Sequence, residues 1–189
     1  MALEEIAMTK CRECGGETRT TPLERYDADN ELGKMGVVLV GAVHEVTCSQ
    51  CGASEVSIPD LPGLLAAVAV YRVTSPWKLQ GHDIRFLRKV MEISAKEFAE
   101  CLEVSQETVS RWENDKAPMG PANEKLLRLM TAYTMNEKAP GVPWSAEEIG
   151  RMKALPVRDV KSQPRMTLHY AEMLREKVVE GVWLEKRVA

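Results

Sequence analysis

Four of the five cysteines form two pairs with identical spacing. The pairs are Cys11–Cys14 and Cys48–Cys51, and a glycine directly follows the second cysteine of each pair. Two intervening residues let both thiolates of a pair bind one ion, and the glycine permits the tight turn at which amide groups point at sulfur. Four thiolates make a closed tetrahedral shell with no open position for a substrate. The spacing therefore predicts one structural zinc ion per chain.

Two alternatives to this ligand set remain open from the residues alone. The cysteine pairs can be redox dithiols or disulfides, although a redox motif does not require a second copy with a matching glycine. His44 lies four residues before Cys48 and can replace one ligand, but a place on the face of a strand is the favoured interpretation. Cys101 is distant in sequence and is expected to be an ordinary helical side chain.

A second pattern lies between residues 84 and 130, where apolar residues recur at helical spacing. Residues 94–114 have the layout of two short helices joined by a tight turn. Ser94 and Glu97 form a capping box for the first helix, and Ser105 caps the second. Five apolar side chains are expected to form the shared core: Phe98, Leu102, Val104, Val109 and Trp112.

This arrangement leaves a polar face on the second of these helices. Its side chains are of the types that contact base edges or phosphates in DNA. The predicted DNA-contacting set consists of Gln106, Glu107, Ser110, Arg111, Asn114 and Lys116. The alternative is an ordinary helical bundle whose polar surface is merely solvated.

Residues 84–130 resemble the helix-turn-helix of Xre/Cro-type repressors of phages and bacteria. The resemblance implies a buried, purely structural ion pair between Arg88 and Glu113. Two positions depart from the pattern: Ala95 replaces a phosphate-contacting glutamine, and Glu103 occupies a turn position where glycine is usual. Glu103 is therefore expected to adopt a left-handed conformation at a cost of about 1 kcal/mol.

The cysteine motifs and the helical region together resemble the zinc-finger/helix-turn-helix antitoxins of the YgiT or MqsA type, over residues 11–135. The resemblance implies homodimers that bind palindromic operators and repress their own operon, with zinc in a structural role. In toxin-linked members the zinc domain also holds a ribonuclease-type toxin. The family's base-contacting arginine corresponds to Arg111, whereas its base-contacting asparagine falls at Glu107, a departure that changes the expected operator sequence.

Composition is that of a globular, water-exposed protein. The 189 residues are 44% apolar and 28% charged, with a net charge of −3. The acidic excess lies in the first 77 residues and the remainder is neutral to basic, which restricts DNA contact to the latter. No run of 18 apolar residues and no secretory signal pattern is present, so the chain is expected to be cytoplasmic, without membrane contact.

The predicted fold class is α+β. A zinc-binding β domain is expected over residues 1–58, a linker helix over 59–77, a helix-turn-helix domain over 78–135 and a helical C-terminal extension over 136–189. The N-terminal strands are expected at 37–40 and 43–47, with a bulge or turn at Gly41. Asp60 and Pro62 mark the start of the linker helix, and Ser145 with Glu148 marks a later one. A last helix is expected from Thr167 to about residue 180, ending at Gly181.

The leading functional hypothesis is a sequence-specific DNA-binding autorepressor, the antitoxin of a type II toxin–antitoxin system. Its expected partners are double-stranded operator DNA, a second copy of the chain and a cognate toxin. The alternatives are a transcriptional regulator that has no toxin partner and a protein-binding adaptor whose helical region serves dimerisation. Enzymatic function is not expected, because the sequence has neither a glycine-rich phosphate loop nor a grouping of histidine with a nucleophile.

Overall fold

The computed structural model describes residues 10–33, 35–157, 165–175 and 178–185. Within these ranges the chain forms one five-stranded sheet and seven helices, so the fold is mixed α+β as predicted. In chain order the elements are β1 (Thr18–Asp27), α1 (Asp29–Leu32), β2 (Val37–Cys48), β3 (Ser54–Ser57), α2 (Leu61–Thr74), α3 (Gly81–Val90), α4 (Ala95–Cys101), α5 (Gln106–Glu113), α6 (Pro121–Met135), α7 (Ala146–Arg151), β4 (Met166–Arg175) and β5 (Val178–Glu185).

The long strand β2 organises the sheet. One of its edges pairs with β1 in antiparallel fashion, and the other pairs first with β4, in parallel, and then with β3. Gly41 has a φ of 86° and lies opposite a register shift between Leu23 and Arg25 of β1. The residue inserted here is a β-bulge, which bends the strand and increases its twist. The two short strands expected from the sequence are thus one strand with a bulge.

The C-terminal region corrects the sequence prediction. The expected helix from Thr167 to about residue 180 is wrong: these residues form the hairpin β4–β5, and Gly181 lies inside β5. Met166 and Leu168 are buried and Thr167 between them is not, which is the two-residue period of a strand. Parallel pairing with Val37–Val40 also satisfies backbone groups that β2 otherwise leaves unpaired at its edge.

Two contacts attach the hairpin to the rest of the molecule. Arg165 forms a two-pronged ion pair with Asp27 at the end of β1 and lies 3.0 Å from Asp29. Trp183 is 2% exposed, contacts the ring of Tyr170 in a tilted arrangement and donates from Nε1 to the carbonyl of Pro59 at 3.3 Å. The hairpin therefore extends the sheet and also packs against α2. Of the predicted C-terminal helices, only α7 is present among the described residues, capped by Ser145.

Helix α2 lies at the centre of the structure. It begins where the Asp60 carboxylate accepts from the amide of Gly63 at 3.0 Å, as the sequence predicts. Both sides of the helix are buried, including Leu64, Val68, Val70 and Val73, because α2 contacts α3, α6, α7 and β5. Sheet residues and helical residues therefore belong to one hydrophobic cluster. The division of the chain into four domains and segments, as predicted from the sequence, stays a prediction.

Buried ion pairs fix the connection between α2 and α3. Arg72 binds Asp83 through two hydrogen bonds of 2.6 Å, and both side chains are almost fully buried. Arg128 of α6 pairs with Glu124 at 2.8 Å. The same guanidinium donates to three backbone carbonyls at the end of α2 and in the segment that joins it to α3, those of Val73, Ser75 and Trp77. The segment that looks like a linker in the sequence is thus held by two arginines.

None of the helices in the described ranges is both long enough and apolar enough to cross a membrane.

The turn between α4 and α5 generates a stability prediction. Glu103 has a φ of 53°, the left-handed conformation expected from the sequence. Glycine adopts this conformation without a Cβ penalty, so we expect Glu103→Gly to raise the free energy of unfolding by about 1 kcal/mol in a urea titration. The exposed Glu100 in α4 is the matched control, because glycine there lowers stability by about 0.5–1 kcal/mol. Equal destabilisation by the two substitutions would contradict the assignment.

Candidate metal centre and nucleic-acid interface

The sheet brings the two cysteine pairs together. Cys11 and Cys14 precede β1, whereas Cys48 ends β2, and the register places Thr18 opposite Cys48. Each pair forms the same turn: the amide of Gly15 donates to the carbonyl of Cys11 at 2.8 Å, and that of Gly52 donates to the carbonyl of Cys48 at 3.2 Å. The φ values of these glycines are 73° and 74°, which explains their place after the second cysteine.

The four sulfur atoms have the separations of a tetrahedral site. Sγ of Cys11 lies 3.6 Å from that of Cys51, and Sγ of Cys14 lies 3.5 Å from that of Cys48. All four ligand atoms lie within 4.8 Å of one another. A tetrahedron with Zn–S bonds of about 2.3 Å has sulfur–sulfur edges of about 3.8 Å. The cluster can therefore hold one metal ion.

The same geometry bears on the alternatives left open by the sequence. A disulfide requires sulfur atoms about 2.05 Å apart, and the two short separations here join cysteines of different pairs rather than the two ends of one motif. His44 lies in β2, paired with Ser57 of β3, and is not part of the cluster. Cys101 is exposed on α4, also outside it.

Backbone amides around the cluster favour the thiolate form. Gly16 donates to Sγ of Cys14 and Gln50 donates to Sγ of Cys48, each at 3.4 Å. The amides of Cys51 and Gln50 together lower the pKa of Cys48 to about 6. Thiolates are the form that binds metal, so these amides prepare Cys48 as a ligand. Contacts with neighbouring thiols, by contrast, raise the pKa of Cys51 to about 12 and also raise the pKa of Cys14.

A second candidate site lies on α4 and α5. Ser94 and Glu97 form the predicted capping box, with reciprocal bonds of 3.1 and 2.7 Å. The Ser105 hydroxyl accepts from the amide of Thr108 at 3.1 Å and begins α5. Of the predicted core residues, Phe98, Leu102, Val109 and Trp112 are buried, and Val104 is partly buried against them. The two helices and the turn between them thus share one apolar centre.

The outward face of α5 carries the polar set predicted from the sequence. Gln106, Glu107, Ser110 and Arg111 are all exposed. Among the described residues no ion pair joins Arg111 to Glu107 one turn earlier. The guanidinium of Arg111 is therefore directed to solvent and available to an external acceptor.

Asn114 and Lys116 follow the helix and are also exposed, but the side chain of Asn114 is hydrogen-bonded within the protein. Its Nδ2 donates to the carbonyl of Ser110 at 2.7 Å, and its Oδ1 accepts from Nη2 of Arg85 at 2.8 Å. The side chain thus closes the end of α5. Arg85 itself was not among the predicted site residues; it lies one turn before Arg88 on α3 and adds a half-exposed cation beside α5.

Arg88 and Glu113 form the ion pair that the family resemblance implies. Nε of Arg88 lies 2.6 Å from Oε1 of Glu113, and Nη2 lies 3.2 Å from Oε2. Nη1 donates to the carbonyl of Ile93 at 3.0 Å. Both side chains are largely buried, so this pair joins α3 to the end of α5 and does not face a ligand.

Comparison with known proteins adds no relative. No family model, curated protein or solved structure matches the chain.

The cysteine cluster generates a metal-removal prediction. We expect protein purified without added metal to carry one metal ion per chain, measured by elemental analysis. Cys14→Ser should lose the ion and destabilise the sheet, because assembly of such a site supplies folding free energy. Cys101→Ser is the matched control, since that thiol lies outside the cluster. A metal-free wild-type chain with a fully folded sheet would overturn the assignment.

Proposed function

We propose that this protein is a sequence-specific DNA-binding repressor in which α4 and α5 act as a helix-turn-helix. The observation that carries the proposal is the division of α5 into two faces. Val109 and Trp112 are buried against the helical core, whereas Gln106, Ser110 and Arg111 are exposed together. An α-helix with its side chains is about 10–12 Å in diameter, which fits the major groove, about 12 Å wide.

The charges around α5 support contact with a phosphate backbone. Arg111 and Lys116 are exposed cations on or beside the helix and are available to phosphate oxygens, and Arg85 adds a half-exposed cation that is already bonded to Glu113 and Asn114. Glu107 is the one acidic residue in the first turn of α5. A carboxylate accepts hydrogen bonds from the amino group of cytosine and repels phosphate, so Glu107 contributes to sequence preference rather than to affinity.

We propose zinc as the ion bound by the cysteine cluster, in a structural role. Zinc prefers four thiolates in tetrahedral geometry, and a closed ligand set leaves no position for a reacting water. The ion would hold Cys11 and Cys14, at the start of the chain, against the end of β2.

A second copy of the chain is the proposed partner at α6. Leu126 and Tyr133 are 41% and 79% exposed, and the partly exposed Leu129 and Met130 lie between them at helical spacing. This stripe bears no charge, so two copies can oppose it around a two-fold axis without like-charge repulsion. One recognition helix contacts few bases, and a symmetric dimer places a second helix about one DNA turn away.

The antitoxin assignment rests on the resemblance of residues 11–135 alone. In this proposal the acidic N-terminal part, which includes the metal centre, binds a basic toxin protein. Co-expression of the chain with the product of the adjacent reading frame tests it. Rescue of growth and co-purification support an antitoxin, and their absence leaves a repressor that acts without a toxin.

Arg111 is the proposed main reader of base sequence. Its guanidinium can donate two parallel bonds to O6 and N7 of guanine. On the best duplex selected from a random pool, we expect Arg111→Ala to cost about 1–3 kcal/mol of binding free energy and to flatten preference at one position per half-site. Titration of selected and scrambled duplexes by fluorescence anisotropy measures both effects.

Lys116→Ala is the control for the Arg111 experiment. A phosphate contact carries no sequence information, so this variant should weaken all duplexes about equally and lower the salt slope by about one. If Arg111→Ala keeps the full preference of the wild type, α5 is not the reading helix.

The α6 stripe predicts how the dimer can be broken. Sedimentation equilibrium should show a dimer for the wild type and a folded monomer for the double variant Leu126→Lys/Tyr133→Lys, because four lysines then meet at the interface. Glu100→Lys on α4 is the control and should remain dimeric. A wild-type monomer, or a double variant that stays dimeric, would contradict this interface.

A further inference from the structure

A cavity of about 230 Å³ lies between α6 and the segment that follows α7. Its wall is mainly apolar, formed by Pro121 of α6 and by Met152, Ala154 and Leu155. It lies apart from the metal centre and from the exposed face of α5, and neither proposed site uses it.

Positive charge surrounds this cavity. Lys78, Lys125 and Lys153 line it, and no carboxylate among the described residues forms an ion pair with any of them. Lys125 donates one hydrogen bond to the carbonyl of Gly150 at 2.8 Å, which leaves its other two N–H groups free to bind a ligand. The three lysines therefore concentrate cationic charge beside an apolar wall.

The remaining two charged lining residues, Glu124 and Arg128, neutralise each other. Oε1 of Glu124 accepts from Arg128 and from the amide of Leu79, and all of the Arg128 nitrogens donate to Glu124 or to backbone carbonyls. This pair gives the cavity a rigid floor. It neither attracts an anion nor compensates the three lysines.

The opposite wall is held in a fixed, strained conformation. Ala154 has a φ of 49°, a left-handed value that is unfavourable for a residue with a Cβ. The segment is fastened by a hydrogen bond of 2.9 Å from the amide of Lys78 to the carbonyl of Pro156. Backbone strain of this kind persists where neighbouring contacts hold the chain in place. The cavity is thus already formed in the structure without rearrangement of α6.

We propose that this cavity is a binding site for a small organic carboxylate with an apolar body. The body would contact Met152 and Leu155, and the carboxylate would accept charge-assisted hydrogen bonds from the lysines. The site does not depend on DNA binding: a failure of α5 to read DNA leaves the proposal intact, and an empty cavity leaves the repressor proposal intact.

The test uses hexanoate as the probe and the full-length chain labelled with ¹⁵N. Hexanoate should shift the amide signals of residues 152–155 and of α6, and the shifts should saturate with a Kd of about 1 mM. Two further compounds separate the contribution of the apolar body to binding from that of the charge. Hexan-1-ol retains the apolar body and acetate retains the charge, and each should bind about tenfold more weakly than hexanoate.

Variants locate the site. Lys125→Gln/Lys153→Gln should weaken hexanoate binding by about tenfold. Lys96→Gln on α4 is the matched control and should leave binding unchanged, since Lys96 is exposed and does not line the cavity. The proposal is overturned if hexanoate at about 10 mM leaves the amide signals of residues 152–155 unshifted, or if acetate binds as tightly as hexanoate. It is also overturned if the double lysine variant binds hexanoate as tightly as the Lys96→Gln control does. Because the ligand series uses the wild-type chain, it decides the matter even if a variant misfolds.

Discussion

The burial of α2 is the constraint on which the rest of the structure depends. A helix that is apolar on all sides must be covered on all sides, and here the sheet covers one side and α3, α6 and α7 cover the others. Burial also removes Arg72 from water, and the two-pronged bond to Asp83 at the start of α3, with a hydrogen bond to Ser75, compensates that cost. Loss of either partner would leave a buried charge, which typically costs about 3–5 kcal/mol.

This constraint links the two candidate sites. The cysteine cluster lies where the beginning of β1 meets the end of β2, and β2 pairs with the hairpin β4–β5, which contacts the start of α2 through Trp183. From α2, the ion pair of Arg72 with Asp83 reaches α3, which contacts α5. A partner on the sheet and an acceptor on α5 would therefore bind one continuous body, so relative motion of two domains is not required for one to influence the other.

Features that depend on neighbouring residues could be predicted from the sequence, whereas pairing between distant segments could not. The cysteine spacing, the caps at Ser94 and Ser105 and the left-handed Glu103 depend on nearby residues, and the structure has each of them. The hairpin was missed because residues 166–185 mix apolar and polar side chains in a way that fits two periods. These residues form strands because β4 pairs with the edge of β2, which lies more than a hundred residues away in the sequence. Arg85 was missed for the same reason, since its partner Asn114 lies just past the end of another helix, α5.

The central claim is that sheet and helices share one core through α2. Urea unfolding of 5-fluorotryptophan-labelled protein, followed by ¹⁹F NMR, tests it directly because the tryptophans report from different parts. Trp183 lies in β5 and Trp112 in α5, and both are buried. With signals assigned by single Trp→Phe substitutions, the account predicts that both native resonances disappear in one transition with the same midpoint. Loss of the Trp183 signal at a lower urea concentration, with the Trp112 signal unchanged, would contradict it.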